Sequence, residues 1–524
     1  MNEVECDVVI VGAGPVGLTL ALQLEQVGVH VLVLERNQEI MTEPRAVGID
    51  GESLRTWQAL DLIEDVKPYV HFMLGGRYFN ADGIELFRFD YTGLEPCGYP
   101  LKQSFEQGKI DQVLADALNH RTPGSLLFGH EVLSFTEHND SITVSCTDNG
   151  GKPLAITCSI LVGCDGGRST IRQQLNIRMV GDSNEFPWLV IDTHDPVFKS
   201  GPPVMFFCDP ARPGMTLRVS EEQRRWEWML LPGEDPETLL QEDSIAGLIA
   251  GHTDPDQVTI IRKRVYSFSA VIAEQWQCGR VLLAGDAAHM TPPFAGQGLN
   301  AGIRDTRNLY WKIALVIKGD ARLDLLNSYE QERRDHTREL IDFAVKLGQQ
   351  IQPLDLDLAA ARDKRFLDMQ KDPESLQAYL DEISSAQRIR RIESGAVVDR
   401  TGDNLSGHYI QQPAIKLSDG STMLLDDLLG SGFTILGYDC NPASLLPYEL
   451  YDKWQKLGVR YARINRATET SEGPFDTRQF LDDLFNYESG QMVLIRPDRF
   501  ILAGFTQETA KAALTDAAKA LRLN

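Results

Sequence analysis

The sequence predicts an α/β chain in three parts: a doubly wound parallel sheet, an antiparallel sheet set into it, and a small α/β unit at the C-terminal end. Three observations carry that expectation. An apolar run at 8–11 leads into Gly12-x-Gly14-x-x-Gly17 and then into helical spacing over 18–25. The segment 176–275 is rich in short β-type runs and holds three of the seven tryptophans. Beyond residue 400 a strand, a helix, a second strand, a hairpin and a closing helix follow in turn. With 524 residues the chain exceeds what one hydrophobic core organises, so several domains are expected.

The first element is the most informative. Gly12 permits a tight turn, Gly14 lets the backbone approach a pyrophosphate, and Gly17 lets the helix lie close to the strand. The helix N-terminus then offers unpaired N–H groups and partial positive charge to phosphates. A second apolar strand at 29–34 ends at Glu35, where a carboxylate can accept both ribose hydroxyls of an adenosine. In a chain with 43 glycines the triplet alone is weak; strand, turn, helix, strand and acid in register predict a dinucleotide site, with Gly12, Gly14, Pro15 and Gly17 as its contacts.

A helix is expected over 50–67, with Leu54, Trp57, Leu60 and Ile63 on one face. The stretch 72–100 turns repeatedly, at Gly75-Gly76 and Asp82-Gly83, and reads as short strands or loops. Helical spacing returns at 110–118. Strands follow at 131–135, 141–146 and 156–163, the last ending in Asp165-Gly166-Gly167. Pieces at 188–192, 204–208, 215–219, 225–231 and 258–266 predict the separate antiparallel sheet. Helical character resumes at 298–318 and runs, interrupted, to about 395.

In the last part, strands at 433–438 and 459–464 flank a helix at 445–456, and Pro497-Asp498-Arg499 joins a hairpin before a helix at 507–521. This order resembles a thioredoxin-like domain. The redox chemistry of that fold needs a thiol pair after the first strand; only Cys440 stands there, so a structural or dimerising role is expected. The expected division is 1–175 and 276–395 for the nucleotide-binding part with its helical connection, 176–275 for the inserted sheet, and 400–524 for the last unit.

Composition narrows the partners. A formal charge of −24 argues against nucleic acid or an anionic membrane surface. No apolar run is long enough for a transmembrane helix, and an acidic N-terminus entering the first strand leaves no room for a signal peptide. Eight scattered cysteines show neither a C-x-x-C pair nor metal-ligand spacing, as expected of free thiols in a reducing cytoplasm, with no metal site.

A third motif is long and specific. Residues 280–289 read as a strand ending in Gly285-Asp286, followed by Pro292-Pro293 and by Gly296-Gln297-Gly298-Leu299-Asn300 at the start of a helix. A carboxylate at such a strand end can bind a ribityl hydroxyl, and the glycines let backbone N–H groups face a flavin ring edge. The glycine turn, Asp165-Gly166 and Gly285-Asp286 together resemble the single-component (class A) flavin-dependent aromatic hydroxylases, over roughly 1–395. The closing unit is similar to that of the subgroup with a thioredoxin-like extension. The stretches Pro44-Arg45-Ala46-Val47-Gly48-Ile49-Asp50, Cys208-Asp209-Pro210-x-Arg212-Pro213, Leu231-Pro232-Gly233-Glu234 and Tyr329–His336 resemble the subgroup acting on 3-(3-hydroxyphenyl)propionate-like phenolic acids.

The resemblance implies a p-hydroxybenzoate hydroxylase-type fold: a Rossmann-like FAD-binding domain, an antiparallel substrate sheet and the thioredoxin-like domain. It implies tightly bound FAD, NADH or NADPH as a transient co-substrate, and O2, with a phenolic ring hydroxylated through a flavin C4a-hydroperoxide. Glu35 and Arg36 would hold the adenosine end, and Arg45 and Gln107 the pyrophosphate and ribityl region. Asp165 would support FAD and nicotinamide, although it could instead cap the helix near Ser169. Asp286 would bind the ribityl chain, and Pro293, Gly296, Gly298, Leu299 and Asn300 would line the ring. His289 is expected to pack beneath the flavin turn, and no catalytic residue is assigned. Substrate-wall candidates are Met205, Phe207, Met215, Leu217, Arg218, Trp226 and Trp228. A homodimer is expected by analogy. Alternatives are a tailoring hydroxylase of a polycyclic phenol, or a flavoprotein that does not hydroxylate.

Overall fold

The computed structural model describes residues 3–41, 43, 45–183, 186–195, 202–385, 389–398, 404–466, 473–486 and 488–524; Pro44 and the expected boundary at 400 lie outside them. The first strand pair and its neighbours build a six-stranded sheet in the order Leu126–Phe128, Val31–Glu35, Val8–Val11, Ile160–Gly163, Val281–Leu283, Gln277–Cys278. All but the last pair are parallel. The central strands Val8–Val11 and Ile160–Gly163 are apolar throughout because they are buried on both faces. Four strands drawn from 3–5, 131–137, 142–147 and 153–158 form a smaller sheet at its side.

The antiparallel layer is a seven-stranded sheet, ordered Thr259–Tyr266, Trp188–His194, Gln223–Met229, Gly214–Arg218, Val204–Cys208, Gly76–Asn80, Glu85–Arg88. Its last two strands come from the turn-rich stretch before residue 100 and so lie outside the expected segment 176–275. The strand Val204–Cys208 pairs in parallel with Gly76–Asn80, a long-range pairing that no local pattern announces. The helix expected over 50–67 is broken into Gly51–Gln58 and Ile63–Val66, because the chain reverses at Asp61 with φ of 59°.

The C-terminal unit has strands ordered Arg460–Ile464, Thr434–Tyr438, Met492–Ile495, Ile501–Phe505, parallel in the first pair and antiparallel thereafter, with the helix Ala510–Ala520 closing it. This is the thioredoxin-like order. Cys440 is a free thiol at the end of the Thr434–Tyr438 strand, with no second cysteine beside it. Among the described residues no helix is long and apolar enough to cross a membrane.

Candidate active site

Three chain segments meet at the C-terminal ends of the parallel strands. In the first, Gly12 has φ of 105°, and a Cβ there would lie 2.5 Å from the Cys164 carbonyl oxygen. A Cβ on Gly17 would lie 2.1 Å from the Gly12 carbonyl oxygen, so only glycine allows this helix-on-turn packing. Gly14 is different: it caps the helix Pro15–Gln26, and nothing stands within 4 Å of where its side chain would be. Free space before a helix N-terminus is where a phosphate binds. Glu35 accepts the Ala13 and Asn37 N–H groups, one on each oxygen at 2.9 Å, which aims its carboxylate along the turn. Arg36 is exposed beside it.

In the second segment, Asp165 Oδ2 accepts the N–H groups of Thr170 and Ile171 at 2.7 and 3.2 Å. It shares the capping of the helix Thr170–Gln174 with Ser169. Its other oxygen is buried and has no hydrogen-bond partner. The capping and binding readings are therefore compatible, since one oxygen serves the helix and the other remains available.

The third segment leaves strand Val281–Leu283 through Gly285, at φ of 60°, into Asp286. The Asp286 carboxyl faces the concavity but is crowded by protein, which raises its pKa against the pull of His289 and Arg45. The chain then turns through Pro293–Ala295 and Gly296, at φ of 56°, into the helix Gly298–Ile317. Gly298 also has open space at its Cβ position. Val16 packs against Gly285 and Gly302, so the helices begun at Pro15 and Gly298 present adjacent N-termini. His289 is fully buried, and its Nε2 pairs with Asp305 at 2.7 Å. Asp305 also accepts the Gly285 N–H and binds Arg333, so His289 braces the turn from beneath.

The supporting loop is set by Gln107, whose Oε1 accepts both the Arg45 and the Ala46 N–H groups at 2.9 and 2.7 Å. Its Nε2 donates to Asp111. Burial pushes the Asp111 carboxyl up to about 7. Gln107 thus shapes the backbone through Arg45, whose own side chain is exposed. Asn300 is spent internally: Oδ1 accepts from the Asp50 N–H and the Ser53 hydroxyl, and Nδ2 donates to the Gly48 and Gly296 carbonyls. It ties the ring-side turn to the neighbouring layer and does not line the cavity.

A cavity of about 920 Å³ joins this turn to the seven-stranded sheet. Its walls include Asp286, Pro293, Gly296, Gly298 and Leu299 on one side and Val204, Phe206, Met215, Leu217, Arg225 and Glu227 on the other. Strand alternation decides the second wall. Met215 and Leu217 face the cavity, whereas Trp226 and Trp228 point to the opposite side. There they stack at 5.6 Å and pack with Leu189, Ile191, Ile245 and Ile249. Met205 and Phe207 lie on that far face as well, Phe207 stacking on His252. Arg218 sits over the Phe72 ring and pairs with Glu221. The sequence pattern did not single out Phe206, Arg225, Glu227 or Lys102. The Trp226-Glu227-Trp228 alternation was a usable signal, because buried tryptophans on one face put Arg225 and Glu227 on the other. Lys102 left no signal: it is half-buried, donates to the Ala295 carbonyl, and is pushed down to about 8 by desolvation.

The polar end of the cavity is a charge cluster. Arg225 grips Asp192 in a two-point pair at 2.7 and 2.9 Å and donates to the Arg45 carbonyl. Arg262 approaches Asp192 and Glu43 at 3.5 and 3.6 Å, and Arg264 pairs with Glu43. The other end is lined by Tyr78, Phe89, Phe206, Phe294 and Phe343. Two exposed helix N-termini, open space at Gly14 and Gly298, the unpartnered Asp165 oxygen and a cavity walled by Asp286 fit an extended dinucleotide that ends in a flat ring.

Comparison with known proteins agrees in outline. A family model described as FAD binding domain matches residues 5–344, and one described as HcaD C-terminal domain matches 407–520. The chain is 36% identical over 528 residues to a 3-(3-hydroxy-phenyl)propionate/3-hydroxycinnamic acid hydroxylase of Klebsiella pneumoniae subsp. pneumoniae, covering 98% of this chain and 95% of that one. It is 34% identical over 579 residues to the protein of the same name from Comamonas testosteroni, covering 99% and 97%. Among solved structures it resembles the flavin-dependent monooxygenase PieE in complex with FAD and substrate, with a TM-score of 0.84, 22% identity and 99% of both chains covered. At that identity the last likeness is one of fold.

Proposed function

The chain belongs to the FAD-dependent aromatic monooxygenases, and on that premise we propose that it hydroxylates a small phenolic acid of the 3-(3-hydroxyphenyl)propionate type. The observation that carries the proposal is the shared cavity, walled on one side by Asp286 and the 293–299 turn and on the other by the sheet face. When bound, FAD takes reducing equivalents from NADH or NADPH and activates O2 toward an aromatic ring.

The residues of the chain do the rest. The turn at Gly12–Gly17 and its helix N-terminus receive the pyrophosphate, Glu35 the adenosine ribose and Asp286 the ribityl chain. Gln107 holds the 45–46 backbone against that chain. Leu299, Gly298 and Pro293 border the ring, and the Gly298 helix N-terminus places partial positive charge beside it. The aromatic wall of Tyr78, Phe89, Phe206 and Phe294 keeps water from the reacting centre. Arg262 and Arg264, at the cavity mouth, supply the positive charge that a substrate carboxylate would share with Glu43. The subgroup similarity, full-length in both relatives, favours a phenolic acid over a polycyclic phenol. A cytoplasmic homodimer belongs to the same reading; eight unpaired cysteines suit a reducing compartment.

The test is to screen phenolic acids, resorcinols and polycyclic phenols for stimulated NAD(P)H oxidation and to identify products by mass. A hydroxylated phenolic acid, formed in step with NAD(P)H consumed, is the expected outcome. Flavin-loaded protein that oxygenates no phenol would overturn the proposal.

A further inference from the structure

Phenol hydroxylation needs electron density pushed into the ring, and removing the phenolic proton supplies it. Resting on the function proposed above, we propose that Glu227 is the catalytic residue that accepts this proton. Among the described residues several buried carboxylates have an oxygen without a hydrogen-bond partner, and of these Glu227 alone lines the cavity. It is 4% exposed and projects from the central strand Gln223–Met229, whose neighbours on both sides hold it in place.

Its surroundings explain why it remains available. Arg225, two residues earlier on the same face, comes no closer than 3.9 Å and is committed to Asp192 through two hydrogen bonds. From the Trp188–His194 strand, Asp192 adds negative charge. From the Thr259–Tyr266 strand, Arg262 faces the cluster but is shared between Asp192 and Glu43, and Arg264 is paired with Glu43. Met215, opposite on the Gly214–Arg218 strand, contributes no charge. Across the cavity stand Arg45 and the Asp286 carboxylate. Burial, with Asp192 reinforcing it against Arg225 and Arg262, brings the Glu227 carboxyl up to about 7. A base that titrates there is matched to work at neutral pH.

In the step itself the phenol O–H bond breaks, its electron pair stays on the ring oxygen, and the proton joins a Glu227 carboxylate oxygen. The transferred oxygen atom comes from the monooxygenase reaction. When the ring carbon then loses its hydrogen as a proton, the ring carbonyl oxygen takes up a proton to become a hydroxyl and aromaticity returns; Glu227 gives the proton it accepted to solvent and is reset.

The experiment compares wild type, Glu227→Gln and Glu227→Asp as FAD-loaded enzymes, with flavin content as the check on folding. For a phenol of ordinary acidity, Glu227→Gln should lower kcat/KM for hydroxylated product by about 100-fold or more at pH 7. The wild-type profile should rise with pH through about 7, and Glu227→Gln should lack that limb. With ring-fluorinated phenols that ionise unaided, the gap between the two enzymes should close to a few-fold. Glu227→Asp should keep the limb at reduced rate, and it decides the matter if Glu227→Gln fails to load FAD. A limb retained in Glu227→Gln, or one equal loss for every phenol, would overturn the inference. If wild type itself oxygenates no phenol, the proposed function falls instead, so the two failures are distinguishable.

Discussion

Arg496 of the C-terminal unit forms a two-point ion pair with Glu332 of the long helix Asn327–Ile351, at 2.7 and 3.0 Å, and both side chains are fully buried. Lys312 and Asn308 complete the cluster on the Glu332 side, and Asp498 binds Arg496 on the other. A second buried link, Arg55 to Asp426 to Arg499, crosses the same boundary. The last unit is therefore welded to the nucleotide-binding part.

Breaking that weld should be costly. Glu332→Gln leaves Lys312 buried without its counter-charge and Arg496 with Asp498 alone, and a loss of about 3–5 kcal/mol is expected. Chemical denaturation followed by tryptophan fluorescence measures it. A loss below 1 kcal/mol would show that the pair carries little of the inter-unit stability.

The same residue sets an acid limit. Burial opposes ionisation of Glu332, but Arg496 and Lys312 outweigh it and hold the carboxyl down to about 2. Its folded pKa lies below its unfolded value, so its contribution is complete above the unfolded value, about 4.3. It drains away as pH falls toward 2. Acid unfolding of wild type should steepen in that window, and Glu332→Gln should flatten it. Equal acid profiles would refute the assignment.

Gly14→Ala separates binding from folding. Gly14 has φ of −76°, which alanine adopts freely, and its Cβ would meet no protein atom within 4 Å. The variant should keep its melting temperature yet bind FAD at least tenfold more weakly, about 1.4 kcal/mol, because the methyl would occupy the phosphate's approach. Gly17→Ala, with a Cβ 2.1 Å from the Gly12 carbonyl oxygen, should lose both. Flavin titration with thermal melts distinguishes the two.

Asp286→Ala should give largely colourless protein. Full flavin occupancy in that variant, read from visible absorbance per chain, would remove Asp286 from the ribityl contact proposed for it.

The two faces of the large sheet should behave differently. Trp228→Ala is expected to cost about 3–5 kcal/mol while leaving the phenol KM close to wild type. Met215→Ala should cost nearer 2 kcal/mol and raise that KM several-fold. If Trp228→Ala moved the KM and Met215→Ala did not, the face assignment would be reversed.

The glycine turn, Glu35, Asp165 and the Gly285–Asn300 stretch were legible in the sequence because close packing of backbone on backbone admits few residue types, and those types recur at fixed spacing. The cavity-facing halves of the substrate strands were not. Side chains alternate along a strand, so choosing between Trp226 and Glu227, or between Met205 and Phe206, requires knowing which face is covered by the nucleotide-binding part. Nor could spacing show that 76–88 joins a sheet built mainly from 188–266, or that Asn300 and Gln107 turn their amides onto backbone. What the sequence by itself determined was the strand–turn–helix frame and the chemistry it holds. Tertiary structure alone decided which carboxylates stay unpartnered in the cavity, since burial and neighbouring charge are properties of residues far apart in the chain.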